Sequence, residues 1–411
     1  MNSVVRGLLP GIAGLVLVGC TSTSAAPAAP TPPAAGPLTT MTVRGTDHRI
    51  QAPAGWSVAL WASLPGARLL AWAPDGKLLV SRPKFGDVVA FTPGAAPQQT
   101  TLVQGLNQPH GLAFQGDTLY VAESDQVNAF TYAAGAVSGR KVVVGGLPDA
   151  KSPELGGAYA HALKSVAIGT DGSIYVSVGS TGNVSAQDRA AGPERATILK
   201  APPGGGTPTV FARGVRNGTG LAIAPDGAVW TAVNNRDNIA DPADGKVKPD
   251  YVNDHPLEPL AKLTQGRDLG WPYCNPDLDL DWDRDVQLNR DGSELDCAAL
   301  PRIEQGMGAH SAPLGLSFAS LPAPFGAGAL VGVHGSWNRK PPRAPEVSFF
   351  AYADGNLGPQ RTLLGGFQDA GGNRWGRPVM AVQGPDRAIY VSDDLAGAIY
   401  RVSQDIATSS K

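Results

Sequence analysis

The chain has 411 residues, of which 42% are hydrophobic, so it can bury a sizeable core and its composition excludes global disorder. The formal net charge of −2, from 33 basic and 35 acidic residues, gives no reason to expect a nucleic-acid or anionic-membrane partner. The 52 glycines and 36 prolines are spread along the chain and favour tight turns between short strands over long helices.

Residues 1–20 are typical of a bacterial export signal. Arg6 supplies the basic start, and the apolar run 8–18 is too short to span a bilayer as a stable helix. Gly19 followed by Cys20 resembles the site at which lipoproteins are cut and lipidated; an ordinary signal peptide with an incidental cysteine is the alternative. Thr21 then favours the outer membrane in a Gram-negative host. The chain is predicted to be exported, facing the periplasm, with a lipid anchor at Cys20 as its only membrane attachment.

Residues 21–42 are rich in Ala, Pro and Thr, which predicts an extended tether ahead of a domain at 43–404. That domain contains the two remaining cysteines, Cys274 and Cys297. In an oxidising compartment a disulfide between them is the simple prediction, and two unpaired thiols or a metal site are the alternatives. No clustered histidines accompany the pair, which disfavours the metal site.

One short pattern recurs along the domain: an apolar strand, a turn and a second apolar strand. Its copies lie at 69–80, 111–121, 165–176, 220–231, 315–331 and 379–391. Several carry Pro-Asp-Gly between the strands, a turn signal in which Pro presets φ, Asp caps the turn and Gly accepts a positive φ. Each copy therefore predicts a β-hairpin.

Six hairpins at this spacing predict an all-β fold, a six-bladed β-propeller of four-stranded antiparallel blades. The longest gap, between the fourth and fifth copies, predicts an insertion at about 238–312. This insertion contains both cysteines and is expected to cross one face of the disc, pinned by the disulfide. A β-sandwich built from the same hairpins explains the spacing less well.

Polar residues stand at equivalent places in the repeats. Counting back six residues from the alanine shared by five first strands reaches Pro65, Asn107, His161, Arg216 and Trp375, with Gln108, His110, Asn217 and Arg377 as neighbours. Further polar groups follow the second strands, at 82, 123, 180–183, 234–237, 334–339 and 393–394. A hairpin returns to the face from which it started, so both sets are predicted to gather at one mouth of the channel. Convergent polar groups there predict a site, although loops are polar in general.

These residues resemble the soluble PQQ-dependent glucose and sorbosone dehydrogenases, including the aldose sugar dehydrogenases, over about residues 43–404. The resemblance rests on His161 ahead of a Ser-Val-Ala-Ile strand, Arg216-Asn217 ahead of 220–227, His-Gly-Ser-Trp-Asn-Arg at 334–339, and Trp-Gly-Arg-Pro at 375–378. The 334–339 run is most like the sorbosone dehydrogenase branch.

The resemblance implies oxidation of an aldose or a sugar aldehyde, with hydride transfer to PQQ. His161 would be the general base, and Arg216 would stabilise charge on the quinone oxygen. Where glucose-oxidising relatives place an acid to orient the histidine, this chain has Ser180.

The resemblance also implies a set of cofactor-binding residues: Gln108, Asn217, Trp337, Asn338, Arg339 and Arg377. A Ca²⁺ ion would be held by backbone carbonyls around Asn234, Asn235 and Arg236, and Asp237 could add a carboxylate. The electron acceptor is left open. A Ca²⁺-dependent lactonase-type hydrolase and a non-catalytic envelope propeller that binds glycan or protein are the alternatives.

Overall fold

The computed structural model describes residues 37–405 except Ala95 and Gly156. The predicted export signal, Cys20 and most of the predicted tether lie outside these residues. The tether ends earlier than predicted, because strand β1 (Leu38–Thr42) pairs with β2 (Arg49–Pro53). No helix among the described residues is both long and apolar enough to cross a membrane.

Six antiparallel sheets follow, and each begins with one of the predicted hairpins. Strand β3 (Trp56–Ser63) precedes them. The first sheet is β4 (Leu70–Trp72), β5 (Leu78–Arg82), β6 (Asp87–Thr92) and β7 (Gln98–Gln104). The second is β8 (Leu112–Gln115), β9 (Thr118–Ala122), β10 (Val127–Ala133) and β11 (Ala136–Val144). The third is β12 (Val166–Ile168), β13 (Ile174–Val178), β14 (Thr197–Ala201) and β15 (Thr209–Arg213).

The fourth sheet is interrupted by long excursions. It contains β16 (Gly220–Ile223), β17 (Val229–Ala232) and β18 (Leu257–Leu263), with helix α1 (Pro249–Asp254) before β18. Strands β19 (Arg267–Asp268), β20 (Cys274–Pro276) and β21 (Trp282–Arg284) lie outside that sheet, and β22 (Gln305–Ala309) completes it.

The last two sheets complete the ring. The fifth is β23 (Pro313–Leu321), β24 (Gly326–Val333), β25 (Glu346–Ala353) and β27 (Arg361–Leu364), with β26 (Asn356–Leu357) also pairing β25. The sixth is β28 (Pro378–Gln383), β29 (Ile389–Asp393) and β30 (Ala398–Gln404), joined by β3. Short 3-10 turns occupy Pro153–Leu155, Ala186–Ala190 and Cys297–Ala299.

The predicted six-bladed propeller is confirmed. The first strands of the blades contact one another in a closed circle, from β4 through β8, β12, β16, β23 and β28 back to β4. The outermost strand of the sixth blade is β3, which pairs with β30 and so joins the two ends of the domain. The second strands β13 and β17 are buried along their whole length, because each blade is covered on both faces by its neighbours.

The centre of the ring is a filled core. Side chains from all six first strands or their starts meet there, among them Leu70, Leu112, Val166, Leu316 and Met380, and leave a void of only ≈ 20 Å³.

The segment 238–312 is not a single insertion between the fourth and fifth blades. It contains β18 and β22, the third and fourth strands of the fourth blade, which the sequence pattern missed because Pro-Asp-Gly marks only the first hairpin. The extra chain forms two excursions within that blade, at 233–256 and 264–304. Cys274 and Cys297 form the predicted disulfide in the second excursion, and β19 pairs with β15 of the third blade.

Candidate active site

A cavity of ≈ 220 Å³ lies at the end of the ring where the first strands begin. His161, Arg216 and Arg377, which precede the first strands of the third, fourth and sixth blades, all line it. Two larger grooves, of ≈ 520 and ≈ 710 Å³, lie elsewhere on the surface, and no histidine is among their lining residues. We place the candidate site in the smaller cavity, because titratable and cationic side chains converge there.

The hydrogen bonds of His161 fix its tautomer. Nδ1 lies 2.9 Å from the Ser180 Oγ and 3.0 Å from the Ser180 carbonyl oxygen. The Ser180 hydroxyl donates its own hydrogen to the Gly182 carbonyl at 2.6 Å, so Nδ1 must carry a hydrogen and donate it to Ser180. Nε2 is left with its lone pair free. Burial, with the neighbouring Arg216 charge, lowers the pKa of His161 to about 4, so the imidazole is neutral at neutral pH.

Glycine is required beside this histidine. A Cβ at Gly179 would stand 2.5 Å from the His161 Cβ and 2.8 Å from the His161 carbonyl oxygen. Contacts this short do not occur between real side chains and backbone, so Gly179 lets the end of β13 approach His161 closely enough for Ser180 to bind it.

Arg216 is a buried cation held by main-chain oxygens. Its Nε and Nη1 donate to the carbonyls of Asn183 and Asn234, both at 3.1 Å, and Nη2 donates to the Asn183 Oδ1 at 3.1 Å. Each Nη atom carries a second hydrogen beyond these bonds. Burial lowers the pKa of Arg216 to about 10, which still leaves it charged at neutral pH.

A second cation, Arg377, is held by a chain of side chains. Its Nη2 donates to the His334 Nδ1 at 2.5 Å, and the His334 Nε2 donates to the Asp394 Oδ1 at 2.8 Å. The other Asp394 oxygen accepts from Arg68 at 2.7 Å, and Arg68 in turn lies 3.3 Å from the His110 Nε2. Burial lowers the pKa of His334 to about 4, and the pKa of Asp394 is lowered by His334 and Arg68 despite burial. The network therefore has two positive charges and one negative charge.

Acidic groups occupy another part of the same lining. His310 donates from Nε2 to the Val252 carbonyl at 2.6 Å, and its Nδ1 lies 3.3 Å from the Asp237 carboxylate. Glu258, at the start of β18, accepts a hydrogen bond from the main-chain amide of Asn235 at 2.6 Å. Burial raises the pKa of Glu258 to about 7.

The structure brings most of the predicted site residues together, but not all of them. His161, Arg216, Asn234, Asp237, Trp337, Asn338 and Arg377 line the cavity. The remaining predicted residues, Gln108, Asn217, Asn235, Arg236 and Arg339, are not in its lining.

The structure gives a physical reason for four of these five residues. Gln108 is exposed, in a left-handed conformation with φ 51°. The side-chain amide of Asn235 donates to the Leu257 carbonyl, and Arg236 forms a buried ion pair with Asp285. Arg339 pairs with Asp254 at 3.3 Å.

Four lining residues with polar side chains were not among the predicted site residues: Glu258, His310, His334 and Ser336. Glu258 was not predicted because 238–312 was interpreted as an insertion. It lies at the start of β18, which pairs antiparallel with β17 and so begins at the face where β17 ends. His334 had been placed on the correct face and given no role. In the structure it joins Arg377 to Asp394.

The fold and the site together define a six-bladed propeller with a polar cavity at the end where the first strands begin, lined by the neutral His161 and by Arg216 and Arg377. The chain belongs to the TrAA12-like family, whose model matches residues 50–405.

Solved structures share the fold. The PQQ domain of a Coprinopsis cinerea pyranose dehydrogenase, in its holo form, aligns with a TM-score of 0.73 at 20% identity, covering 88% of this chain and 100% of that one. A Trichoderma reesei carbohydrate-active enzyme of family AA12 aligns with a TM-score of 0.72 at 21% identity, covering 86% and 97%. The PQQ-bound aldose sugar dehydrogenase of Streptomyces coelicolor aligns with a TM-score of 0.55 at 15% identity, covering 86% and 100%. A curated Borreliella burgdorferi protein described as uncharacterized is 22% identical over 372 residues, covering 86% of this chain and 90% of its own length.

Proposed function

We propose that the protein oxidises an aldose or a sugar aldehyde such as sorbosone, with PQQ as the hydride acceptor and His161 as the general base. One observation carries the proposal: the free Nε2 of a neutral histidine shares a cavity with two arginines. The related structures include the PQQ domain of a pyranose dehydrogenase and a PQQ-bound aldose sugar dehydrogenase, which supports the same reaction class.

The cavity fits a planar, polyanionic quinone. The Asn338 amide contributes two buried polar atoms, Nδ2 and Oδ1, that have no partner among the described residues. Arg216 and Arg377 would pair with carboxylate or quinone oxygens, and the exposed indole of Trp337 lies at the rim. Bound there, PQQ would supply the two-electron acceptor that takes the hydride from the sugar C1.

The chain's own residues manage the proton. Ser180 keeps a hydrogen on Nδ1 of His161, so Nε2 accepts the proton of the C1 hydroxyl as the C–H bond breaks. Arg216, fixed by carbonyls and still carrying spare hydrogens, stabilises negative charge that develops on an acceptor oxygen in the cavity.

The calcium proposal narrows to two of the four predicted residues. Asn234 and Asp237 line the cavity and offer the oxygen donors that Ca²⁺ prefers. Neither Asn235 nor Arg236 is in the cavity lining, so we assign their carbonyls no part in binding an ion there.

The test is a dye-linked assay of purified protein with PQQ and Ca²⁺ against a panel of aldoses and sorbosone. The proposal expects turnover that requires PQQ and is lost when PQQ is omitted. Absence of turnover on every sugar, in protein shown to be folded, would contradict it. Hydrolysis of lactones without PQQ would support the lactonase alternative, but that reaction needs several side-chain metal ligands. Neither Asn235 nor Asp393 lines the cavity, so their side chains are not placed to bind a metal ion there.

Gly179→Ala is expected to lower turnover about 10²-fold, because the added methyl group pushes His161 away from Ser180 and a displacement near 1 Å is enough for such a loss. Gly182→Ala is the matched control, since a Cβ there would have no neighbouring atom within 4 Å. The measurement is kcat of both variants beside their melting temperatures. Equal kcat values for the two variants would contradict the role given to Gly179.

We also propose that the chain is exported and lipid-anchored through Cys20, on the sequence pattern at 8–21. Radiolabelled palmitate should label the wild-type chain in bacterial cells. Cys20→Ser should abolish the label and release the protein from the membrane fraction, and a label that persists in this variant would reject the anchor.

A further inference from the structure

Lys164 is a fully buried lysine with an unusual set of partners. It is 0% exposed, and no ion pair joins it to a carboxylate in the part of the chain that the structure describes. Its Nζ donates to the Ala162 carbonyl at 2.7 Å and the Pro148 carbonyl at 2.9 Å, and lies 3.5 Å from the Tyr159 hydroxyl. These three oxygens match the three hydrogens of an ammonium group. Burial lowers the pKa of Lys164 to about 7, although the Asp149 and Asp125 charges raise it, so holding an ammonium group there is costly and calls for an explanation.

The partners of Lys164 flank His161 on both sides. Ala162 directly follows His161 in the chain, and Tyr159 lies two residues before it. Tyr159 also places its ring 4.6 Å from the Lys164 Nζ, an additional cation–π contact. Lys164 thus contacts the main chain after His161, at the Ala162 carbonyl, and the Tyr159 side chain before it.

Tyr159 extends this attachment to the other partner of His161. Its hydroxyl donates to the Gly179 carbonyl at 2.8 Å, and Gly179 immediately precedes Ser180, which binds the His161 Nδ1. The main chain adds a parallel bond from the Ala160 amide to the Thr181 carbonyl at 2.9 Å. Lys164 and Tyr159 therefore connect the segment that carries His161 with the segment that orients it.

We infer that Lys164 is a positioning residue for His161, acting through Ala162 and Tyr159 to hold the imidazole against Ser180. The expected loss of activity rests on the proposed function, whereas the orientation and tautomer of His161 can be measured in protein without cofactor. Lys164 itself touches neither the cavity nor a reacting atom.

The first readout is therefore independent of turnover. Nitrogen NMR of ¹⁵N-histidine in cofactor-free protein reports the tautomer and the titration of each of the 6 histidines, with His161 assigned from a His161→Gln variant. In the wild type, His161 should carry its hydrogen on Nδ1 and titrate well below the ordinary histidine range. Lys164→Met, which keeps the length of the side chain and removes its donors, should mix the tautomers and move the titration upward.

The second readout is kinetic. Lys164→Met should lower kcat on the order of tenfold to a hundredfold with KM little changed, because the base is displaced while the rest of the cavity is intact. Tyr159→Phe removes the hydroxyl that binds the Gly179 carbonyl and contacts the Lys164 Nζ, but it keeps the ring and the bond from Lys164 to Ala162. It should change both readouts in the same direction by less. If Lys164→Met folds poorly, Tyr159→Phe provides the test in its place. Lys262→Met, on β18, is the matched control and should leave both unchanged.

The two readouts separate the inference from the proposed function. If the wild type oxidises no sugar but Lys164→Met still changes the His161 signals, the proposed function fails and the positioning role stands. If Lys164→Met and Tyr159→Phe are folded and the His161 tautomer and titration match the wild type, the positioning role is overturned whatever the activity.

Discussion

His161→Gln is expected to lower kcat by about 10²- to 10⁴-fold, the usual contribution of a positioned general base. Glutamine fills similar space and can still donate to Ser180, so the fold and the affinity for PQQ should change little. The measurement is kcat with saturating PQQ beside a PQQ binding constant for the same protein. His48→Gln, an exposed histidine outside the cavity lining, is the control. A variant that keeps more than a tenth of wild-type kcat would remove His161 from the chemistry.

The same residue sets the acid limb of the pH profile. Because burial and Arg216 lower the pKa of His161 to about 4, the basic form persists down to that pH. The value of kcat/KM should therefore hold as pH falls through 6 and drop only as His161 is protonated near its lowered pKa. In His161→Gln this limb should vanish from whatever activity is left.

Arg377→Leu is expected to weaken PQQ binding on the order of tenfold to a hundredfold, since a hydrogen bond to a charged group contributes ~1.5–3 kcal/mol and 1.4 kcal/mol is a factor of ten. The effect should appear in Kd rather than in kcat at saturating cofactor. Arg401→Leu is the control, because Arg401 pairs with Asp386 outside the cavity. Equal Kd values for the two variants would contradict the role of Arg377.

The fold was predictable because its signal is repeated. The turn chemistry at sites such as Asp75-Gly76 marks the first hairpin of a blade, where Gly76 has φ 80° and the Asp75 side chain accepts from Lys77. The outer strands have no such mark. The third and fourth strands of the fourth blade were therefore absorbed into an apparent insertion, and Glu258 with them.

The sequence predicted which loops form the site, but not which side chains of those loops line the cavity. Counting from the shared alanine reached His161 and Arg216, because the start of each first strand is fixed by the blade. Arg216 and Asn217 lie in a turn, and 234–236 form irregular chain, so neither segment has a regular side-chain period. Sequence spacing therefore could not show that Asn217, Asn235 and Arg236 lie outside the cavity lining. The Arg377–His334–Asp394 chain joins two blades, a relation that spacing along one chain segment does not encode.

Binding of PQQ between His161, Arg216 and Arg377 is tested most directly by titrating PQQ into cofactor-free protein with Ca²⁺. We expect a saturable change in the PQQ absorbance spectrum at one PQQ per chain, with affinity weakened by Arg377→Leu and unaffected by Arg401→Leu. A spectrum that never changes, or a binding curve that is identical in both variants, would contradict it.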